Sequence, residues 1–298
     1  MHHMKPIIVI CGPTATGKSA LAVQLAQKFN GEVISADSRQ VYTGLDIGSA
    51  KITESEMCGI PHHMIDIVHP NEYFSVAGFQ KMARQKIAEI HARGKLPIIC
   101  GGTGMYIDAT IFGTEFPEVL PNPEIRNQLE QKTVDELFSE LQKLDPKRAE
   151  TIDKNNKVRL IRAIEIVKSL GSVPVPQNKE SLYNTLWIGL NLPKEILQER
   201  IITRIQDRIP ALFDEINNLH NSGVSFERLE RFGLEYRYGA EYIQEKIILP
   251  EFTETLATKT WQFAKRQMTW FKRNKNIHWY NPISDKQKIL QLVKEFLR

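Results

Sequence analysis

Gly12-Pro13-Thr14-Ala15-Thr16-Gly17-Lys18-Ser19 is the stretch that decides the fold. It fits the eight-residue P-loop pattern, and it lies between an apolar run at residues 7–11 and a segment of helical period at residues 19–29. Glycines let successive N–H groups converge on phosphate oxygens, and the helix N-terminus adds its positive dipole. Lys18 adds a charge, and Ser19 can ligate Mg²⁺. We therefore predict that residues 12–19 bind phosphate with Mg²⁺ as cofactor.

Apolar runs that end in Gly or Asp alternate with helical segments along much of the chain. Strands are predicted at residues 7–11, 32–36, 97–100 and 186–190. Between the second and third, apolar residues from Phe79 to Ile90 recur at three- and four-residue spacing, and Gly94 supplies a helix stop. This alternation is typical of a parallel sheet wrapped by crossover helices. The predicted fold is α/β, with a P-loop doubly wound parallel sheet core.

The region from residue 116 to residue 181 has a different, helical pattern. One amphipathic helix begins at a Thr133…Glu136 capping box, and a second ends at Gly171. We interpret this region as an inserted helical domain; contact of this domain with RNA is implied only by the family resemblance given below. The core would then comprise residues 1–115 and 182–298, the latter ending in a basic helix.

Composition and charge narrow the class of protein. The 298 residues are 42% hydrophobic and 25% charged, which excludes disorder and fibre. No apolar stretch is long enough for a bilayer, and the N-terminus lacks a secretory signal, so a soluble cytoplasmic protein is expected. The three cysteines predict no disulfide framework or zinc site. Residues 256–280 carry six Lys or Arg and no acidic residue, which makes them a candidate surface for a polyanion.

The first chemical candidate outside the P-loop is Asp37, at the end of the second predicted strand. Strand ends form the ligand crevice of open α/β sheets, so Asp37 and Ser19 are expected to face one cavity. Position alone leaves three roles for Asp37: a general base, a helix or turn cap, or a kinase ligand for acceptor or metal. The strand before Gly101-Gly102-Thr103 lacks the Asp that holds Mg²⁺ in many ATPases, which argues against phosphoryl transfer.

Other polar residues admit structural interpretations. Adjacent His62 and His63 favour a loop or strand edge over a metal site. Arg200, Arg204 and Arg208 give a basic helix face, for which solvated arginines are the commoner explanation. Aromatic and basic residues at 261–273 could pack simply or contact an RNA backbone, and the absence of acidic residues supports RNA.

Six segments, taken in order, resemble the bacterial tRNA dimethylallyltransferases, which isopentenylate the adenosine just 3′ of the anticodon. The resemblance runs nearly end to end. Its motifs are GPTATGKS at residues 12–19, ISADSRQVYTGLDIGSAK at 34–51, PHHMIDI at 61–67, GGTGMY at 101–106, LDP…NN…R..RAIE at 144–165 and AKRQMTWFK at 264–272.

The resemblance implies a P-loop core with an inserted helical domain and a set of site residues. Asp37 would be the general base for the adenine amine, and Thr14, Lys18 and Ser19 would hold the diphosphate with Mg²⁺. Thr103 and Arg237 would assist the leaving group. The residues that would contact tRNA are Asp37, Ser38, Arg39, Gln40, Thr103, Arg126, Arg159 and Arg162, to which the basic segment adds Lys265 and Arg266.

The same resemblance implies the substrates and marks three departures. The partners would be dimethylallyl diphosphate and the tRNA anticodon stem-loop, with a monomeric enzyme and no membrane. Glu235 stands where the family has glycine, Val158 where it has glutamine, and Ser49 where it has threonine. Two other functions fit the P-loop: a nucleoside or metabolite kinase, and a noncatalytic RNA-binding factor switched by nucleotide.

Overall fold

The computed structural model describes residues 4–114, 116–117, 119, 122–174 and 180–298. The chain forms two compact units, which we call the core unit (Met1–Gly113 with Glu180–Arg298) and the inserted unit (Thr114–Lys179). Within the described ranges, no helix is both long and apolar enough to cross a bilayer.

The core unit is built on a six-stranded sheet in which every neighbouring pair is parallel. Its order is β3-β2-β4-β1-β5-β6. The four predicted strands are confirmed to within two residues at each end, and two short edge strands were not predicted. The strands are β1 (Pro6–Cys11), β2 (Gly31–Ser35), β3 (His62–His63), β4 (Leu96–Cys100), β5 (Asn184–Leu190) and β6 (Ile277–Tyr280).

Helices cover both faces of this sheet, as the doubly wound prediction requires. Leu25 of the first helix and Ile289 of the last pack on one face, whereas Phe79, Ile201 and Phe252 pack on the other. The central strands are therefore apolar on both sides, which explains their near-continuous runs of Ile, Val and Leu. The helices of the core unit are α1 (Lys18–Lys28), α2 (Glu54–Met57), α3 (Val76–Ala92), α4 (Gly104–Phe112), α9 (Lys194–Asn221), α10 (Phe226–Glu230), α11 (Leu234–Ile243), α12 (Leu249–Phe271) and α13 (Lys286–Phe296).

The inserted unit has an apolar core of its own, in which Leu137, Leu141 and Ile164 are buried. The predicted capping box is confirmed: the Glu136 amide donates to Thr133 Oγ1 at 3.3 Å, and the Thr133 amide donates to Glu136 Oε2 at 2.7 Å. Gly171 ends the last helix with a left-handed φ of 82°, as predicted. The four helices are α5 (Pro123–Glu130), α6 (Val134–Leu144), α7 (Pro146–Thr151) and α8 (Lys157–Leu170).

Parallel pairing brings the carboxyl ends of the strands to one edge of the sheet. Ile10 pairs with Cys100, and Cys11 pairs with Gly189, so the loops that follow β1, β4 and β5 leave the sheet side by side. Asp37 lies two residues beyond the end of β2. This edge of the sheet carries the candidate site.

Candidate active site

The loop between β1 and α1 has the backbone of a phosphate cradle. Gly12 and Gly17 have φ of +135° and +86°, values that side-chain-bearing residues rarely adopt. A Cβ at Gly12 would also collide with the carbonyl oxygen of Leu190 on β5. Glycine is therefore required at position 12 both by the turn and by the neighbouring strand.

Lys18 is folded back onto this loop. Its ammonium donates to the Pro13 carbonyl at 2.7 Å, and burial lowers its pKa. Thr16 donates its hydroxyl to the same carbonyl at 2.8 Å. Ser19, one residue into α1, lines the adjoining cavity together with Lys18. Among the described residues, no carboxylate forms an ion pair with this half-buried ammonium, so an anion in that cavity would supply the missing charge partner.

Asp37 is held by the backbone that follows it. Its Oδ1 accepts from the amides of Arg39 at 2.8 Å and Gln40 at 3.4 Å. The amide of Ser38, the residue directly after Asp37, donates to Thr103 Oγ1 at 3.1 Å. The structure therefore brings the predicted general base and the predicted leaving-group residue Thr103 together across β2 and β4.

Helix α12 is fastened across the phosphate cradle by one side chain that the sequence reasoning did not single out. Gln267 Oε1 accepts from the Thr14 amide at 2.9 Å, and Gln267 Nε2 donates to the Gly102 carbonyl at 3.0 Å. Farther along the helix, the Trp270 indole donates to Asp108 at 2.8 Å. The only sequence signal for Gln267 was its place inside the basic aromatic segment.

Two adjoining cavities open at this edge. One, of about 290 Å³, is lined by Lys18, Ser19 and other cradle residues, and we call it the phosphate cavity. The other, of about 440 Å³, is lined by Met105, Phe232, Trp270 and further residues, and we call it the apolar cavity. Eight residues line both cavities: Thr14, Asp37, Ser49, Ala50, Gly102, Arg204, Phe263 and Gln267.

The arginines of α9 correct one sequence interpretation. Arg200 is exposed, but Arg204 lines both cavities and Arg208 lines the phosphate cavity. Burial lowers the pKa of both Arg204 and Arg208. Solvated arginines were therefore the wrong expectation for these two residues. The reason is that α9 packs over the loop at residues 46–48, which turns one helix face toward the cradle.

Arg237 requires the opposite correction. It is exposed, it lines neither cavity, and its Nε donates to the Glu230 carbonyl at 3.2 Å. Glu235, two residues earlier on α11, lines the apolar cavity instead. Residues two apart on an α-helix point about 200° apart, so only one of the two can face the site. The structure does not place Arg237 where it could assist the leaving group.

Glu215, on α9, holds the loop at residues 46–50, whose last two residues line both cavities. Glu215 Oε2 accepts from the amides of Asp46 at 2.8 Å and Ile47 at 2.6 Å, and its Oε1 accepts from Gly48 at 3.1 Å. The Tyr236 hydroxyl donates to the same Oε1 at 2.7 Å. Ser49 and Ala50, which line both cavities, follow directly. Sequence reasoning missed Glu215 because nothing in its local pattern points to this distant loop.

The predicted tRNA residues of the core unit lie around these cavities. Ser38, Arg39 and Arg266 line the apolar cavity, and Gln40 lines the phosphate cavity. The Arg266 guanidinium lies 5.8 Å from the ring centre of Phe263. Lys265 lines neither of the two cavities; its ammonium lies 5.9 Å from the ring centre of Trp261.

The three predicted tRNA residues of the inserted unit lie on α5 and α8. Arg126 makes two hydrogen bonds to the buried Glu165, at 2.8 and 2.9 Å. Arg162 donates to the Val119 carbonyl at 2.8 Å, and Arg159 is exposed. Their contact with RNA stays a prediction.

The histidine pair is confirmed as strand structure. His63 Nε2 lies 2.7 Å from Glu32 Oε2, and His62 Nδ1 lies 2.8 Å from the Ile60 carbonyl. In the part of the chain that the structure describes, no three His, Cys, Asp or Glu side chains form a metal cluster.

Fold and site together define a P-loop α/β protein with a strand-end carboxylate between a phosphate cavity and an apolar one. Two family models match the chain: IPP transferase over residues 40–274 and Isopentenyl transferase over residues 5–68. The chain belongs to the IPP transferase family, and the resemblance inferred from its motifs is confirmed.

Relatives and solved structures agree with that assignment. A tRNA dimethylallyltransferase of Bacillus licheniformis is 41% identical over 296 residues, covering 95% of this chain and 94% of that protein. The crystal structure of the tRNA isopentenylpyrophosphate transferase of Bacillus halodurans aligns with a TM-score of 0.73 at 39% identity, covering 99% of this chain and 97% of that one. Crystallographic snapshots of a eukaryotic dimethylallyltransferase acting on tRNA align with a TM-score of 0.83 at 30% identity, covering 98% and 79%.

Proposed function

We propose that this chain prenylates tRNA: it transfers the dimethylallyl group of dimethylallyl diphosphate to the N6 amine of the adenosine 3′-adjacent to the anticodon, and it releases diphosphate. One observation carries the proposal. Asp37 lies where a phosphate cavity and an apolar cavity meet, so a base, a diphosphate and a hydrocarbon can converge on it. The relatives named above provide the family context.

Charge placement supports the transfer step. As the allylic C–O bond stretches, its electron pair goes to the diphosphate, while positive charge grows on the dimethylallyl carbon. Ala15, Gly17, Lys18 and Ser19 of the loop line the space where that diphosphate would sit, and Arg204 lines it from α9. Donors fixed in advance around a developing anion stabilise the transition state without reorganising.

The apolar cavity would hold both the dimethylallyl group and the adenine that accepts it. The five-carbon group would lie against Met105, Phe232 and Trp270, which keep water from the carbocation-like carbon. A loop adenine leaves its stack cheaply and would enter beside Asp37. As N6 bonds to the allylic carbon, one N6 proton passes to Asp37. Its Oδ1 is held by two amides, so Oδ2 is the oxygen available to accept it.

Mg²⁺ fits the donor set. Ser19 supplies a hydroxyl oxygen next to the cradle, and Mg²⁺ bound to phosphates characteristically takes one or two protein ligands and completes its shell with phosphate oxygens and water. The absence of a cluster of three acidic or histidine ligands among the described residues suits such a site. When bound, the ion would neutralise charge on the diphosphate.

RNA contact and cellular context complete the proposal. Ser38, Arg39 and Arg266 at the apolar cavity would contact tRNA, and so would Arg126, Arg159 and Arg162 of the inserted unit. Contacts to phosphates from such residues orient RNA and make binding depend on salt. The enzyme would act as a monomer in the cytoplasm, where its tRNA substrate is found.

The experiment that tests the proposal is a prenyl-transfer assay. Purified protein is incubated with Mg²⁺, dimethylallyl diphosphate and unmodified tRNA, and the tRNA is digested to nucleosides. We expect prenylated adenosine, and Asp37→Asn is expected to reduce its rate on the order of 10²- to 10⁴-fold with tRNA binding retained. Absence of the product, or an undiminished rate in Asp37→Asn, would refute it.

The same assay separates the alternatives. A kinase would consume ATP and phosphorylate a small acceptor, but β4 ends at Cys100 and is followed by Gly101-Gly102, without the Asp that an ATPase of this kind carries there. A noncatalytic RNA-binding factor would keep its function in Asp37→Asn. A parallel arm with labelled ATP in place of the allyl donor tests the kinase directly.

A further inference from the structure

Glu235 is a half-buried carboxyl at the apolar cavity that the proposed transfer step does not use. It lies in the first turn of α11 and lines the apolar cavity with Asp37, but it does not line the phosphate cavity. Its position on the acceptor side points to the base and not to the diphosphate.

The surroundings of Glu235 favour an uncharged carboxyl. No cation of the described residues lies within 4.0 Å of it. Burial raises its pKa, and Asp37 adds to that rise. Arg204, a hydrogen bond from the backbone amide of Glu235 and, more weakly, Arg208 oppose it. In its protonated form, which the raised pKa favours, this carboxyl presents one hydrogen-bond donor and one acceptor side by side.

That pair of groups matches one edge of adenine. The Watson–Crick edge offers the N1 acceptor next to an N6–H donor, the reverse of what a protonated carboxyl offers. Adenine N6 carries two hydrogens, and the reaction removes one of them. Asp37 and Glu235 line the same cavity, so each can take one of the two N6–H groups.

We propose that Glu235 binds the Watson–Crick edge of the target adenine, its O–H donating to N1 and its carbonyl oxygen accepting the N6–H that is retained. Asp37 then receives the other N6 proton as the N–C bond forms and the allylic C–O bond breaks. Glu235 is thus a substrate-binding residue that orients the amine. This inference rests on the proposed function of the site.

The test compares two acceptors within each enzyme variant. Synthetic anticodon stem-loops carry either adenosine or 1-deazaadenosine at the target position, and kcat/KM is measured for both. The wild-type enzyme is expected to prefer adenosine, by a ratio on the order of 10- to 100-fold above that of Glu235→Leu, which cannot donate to N1. Any intrinsic change in amine reactivity enters both ratios equally, and a ratio within one variant does not depend on the folded fraction.

Two further variants sharpen the comparison. Glu235→Gln keeps a donor and an acceptor side by side, so it is expected to retain the wild-type preference. Glu241→Leu, on the same helix but lining neither cavity, is expected to retain it as well. Loss of the preference in Glu235→Gln would overturn the neutral-acid pairing.

The outcomes separate the two proposals. If the wild-type enzyme does not prenylate the natural adenosine stem-loop, the proposed function itself is wrong. If it does so but Glu235→Leu discriminates as strongly as the wild type, the role of Glu235 is wrong and the transferase function stands.

Discussion

The Gln267 side chain accepts a hydrogen bond from the backbone amide of Thr14, with 2.9 Å between Oε1 and N, although 253 residues separate the two in sequence. The amide end of the same side chain donates to Gly102. The phosphate-binding loop, the turn after β4 and the C-terminal basic helix are therefore joined through one glutamine. This contact fixes a loop whose amides must be aimed before the substrate arrives.

Removal of the Gln267 side chain is expected to impair the use of dimethylallyl diphosphate. Gln267→Ala leaves the Thr14 amide and the Gly102 carbonyl without their partner, so kcat/KM for dimethylallyl diphosphate should fall on the order of 10- to 100-fold. Gln262→Ala, on the same helix and outside both cavities, is the matched control and should change it less than about threefold. Steady-state kinetics at saturating tRNA measure the effect; equal loss in both variants would contradict it.

Arg204 and Arg200 should differ sharply in their contribution to catalysis. Arg204 lines both cavities, whereas Arg200 is exposed one helical turn away. If Arg204 stabilises the departing diphosphate, Arg204→Ala should lower kcat on the order of 10²- to 10³-fold, as expected for one anion-stabilising donor. Arg200→Ala should stay near the wild-type kcat. Single-turnover measurement with preformed complex checks this, and a wild-type kcat in Arg204→Ala would refute it.

Substitution of Glu215 is expected to lower the stability of the protein, because Glu215 holds a loop and takes no part in the transfer step. In Glu215→Gln, one carboxylate oxygen becomes an NH₂ group that faces amide donors at Asp46, Ile47 or Gly48. The free energy of unfolding should fall by about 1–3 kcal/mol, because donors in this loop lose their acceptor. Urea denaturation measures it.

The control for this loop is its exposed neighbour Asp214. Asp214→Asn should shift the free energy of unfolding by less than about 0.5 kcal/mol. A Glu215→Gln variant as stable as Asp214→Asn would show that the three amides do not depend on the carboxylate.

Glu32 should make stability depend on pH in acid. Burial by itself would raise the pKa of Glu32, but hydrogen bonds from Arg93, His63 and Lys95 outweigh it and lower the pKa from 4.5 to about 2. A lowered folded-state pKa stabilises fully above about pH 4.5, and the contribution disappears as the pH falls toward 2. At about 1.4 kcal/mol per pKa unit, the contribution is at most about 3 to 4 kcal/mol.

The measurement is the free energy of unfolding between pH 5 and pH 2, the window set by the two pKa values. Glu32→Gln should be less stable than the wild type at pH 5, and the difference should shrink as the pH falls. Glu54→Gln, which changes an exposed carboxyl, should leave the pH profile as it is in the wild type. A constant difference between wild type and Glu32→Gln across the window would contradict the assignment.

The fold could be predicted from sequence largely because its signals are local. The glycines around Lys18, the apolar runs of the strands and the Thr133 capping box each lie within a few residues of the structure that they specify. The short edge strands were not predicted, since two or four residues carry no period and His62 and His63 pair only because β2 is beside them.

The site was predicted where a motif coincides with the end of a strand, as at Asp37 and Thr103. It was not predicted where the rotation of a helix determines which side chains face the cavities. Whether Arg204 meets solvent or the cradle depends on which way α9 is rotated, and the four-residue spacing of its arginines is the same in either case. The same holds for Glu235 and Arg237, which are two residues apart and lie on opposite faces of one helix. Gln267 could not have been found from its neighbours, because its partners are more than 160 residues away.

The bridge from Gln267 to Thr14 also sets an order of events during synthesis. The ribosome synthesises the phosphate-binding loop first, and it adds the glutamine that anchors this loop 253 residues after Thr14. A nascent chain therefore contains the glycines of the phosphate-binding loop long before the site can form. Premature termination anywhere upstream of α12 leaves a polypeptide that carries the motif but lacks the glutamine that aims it.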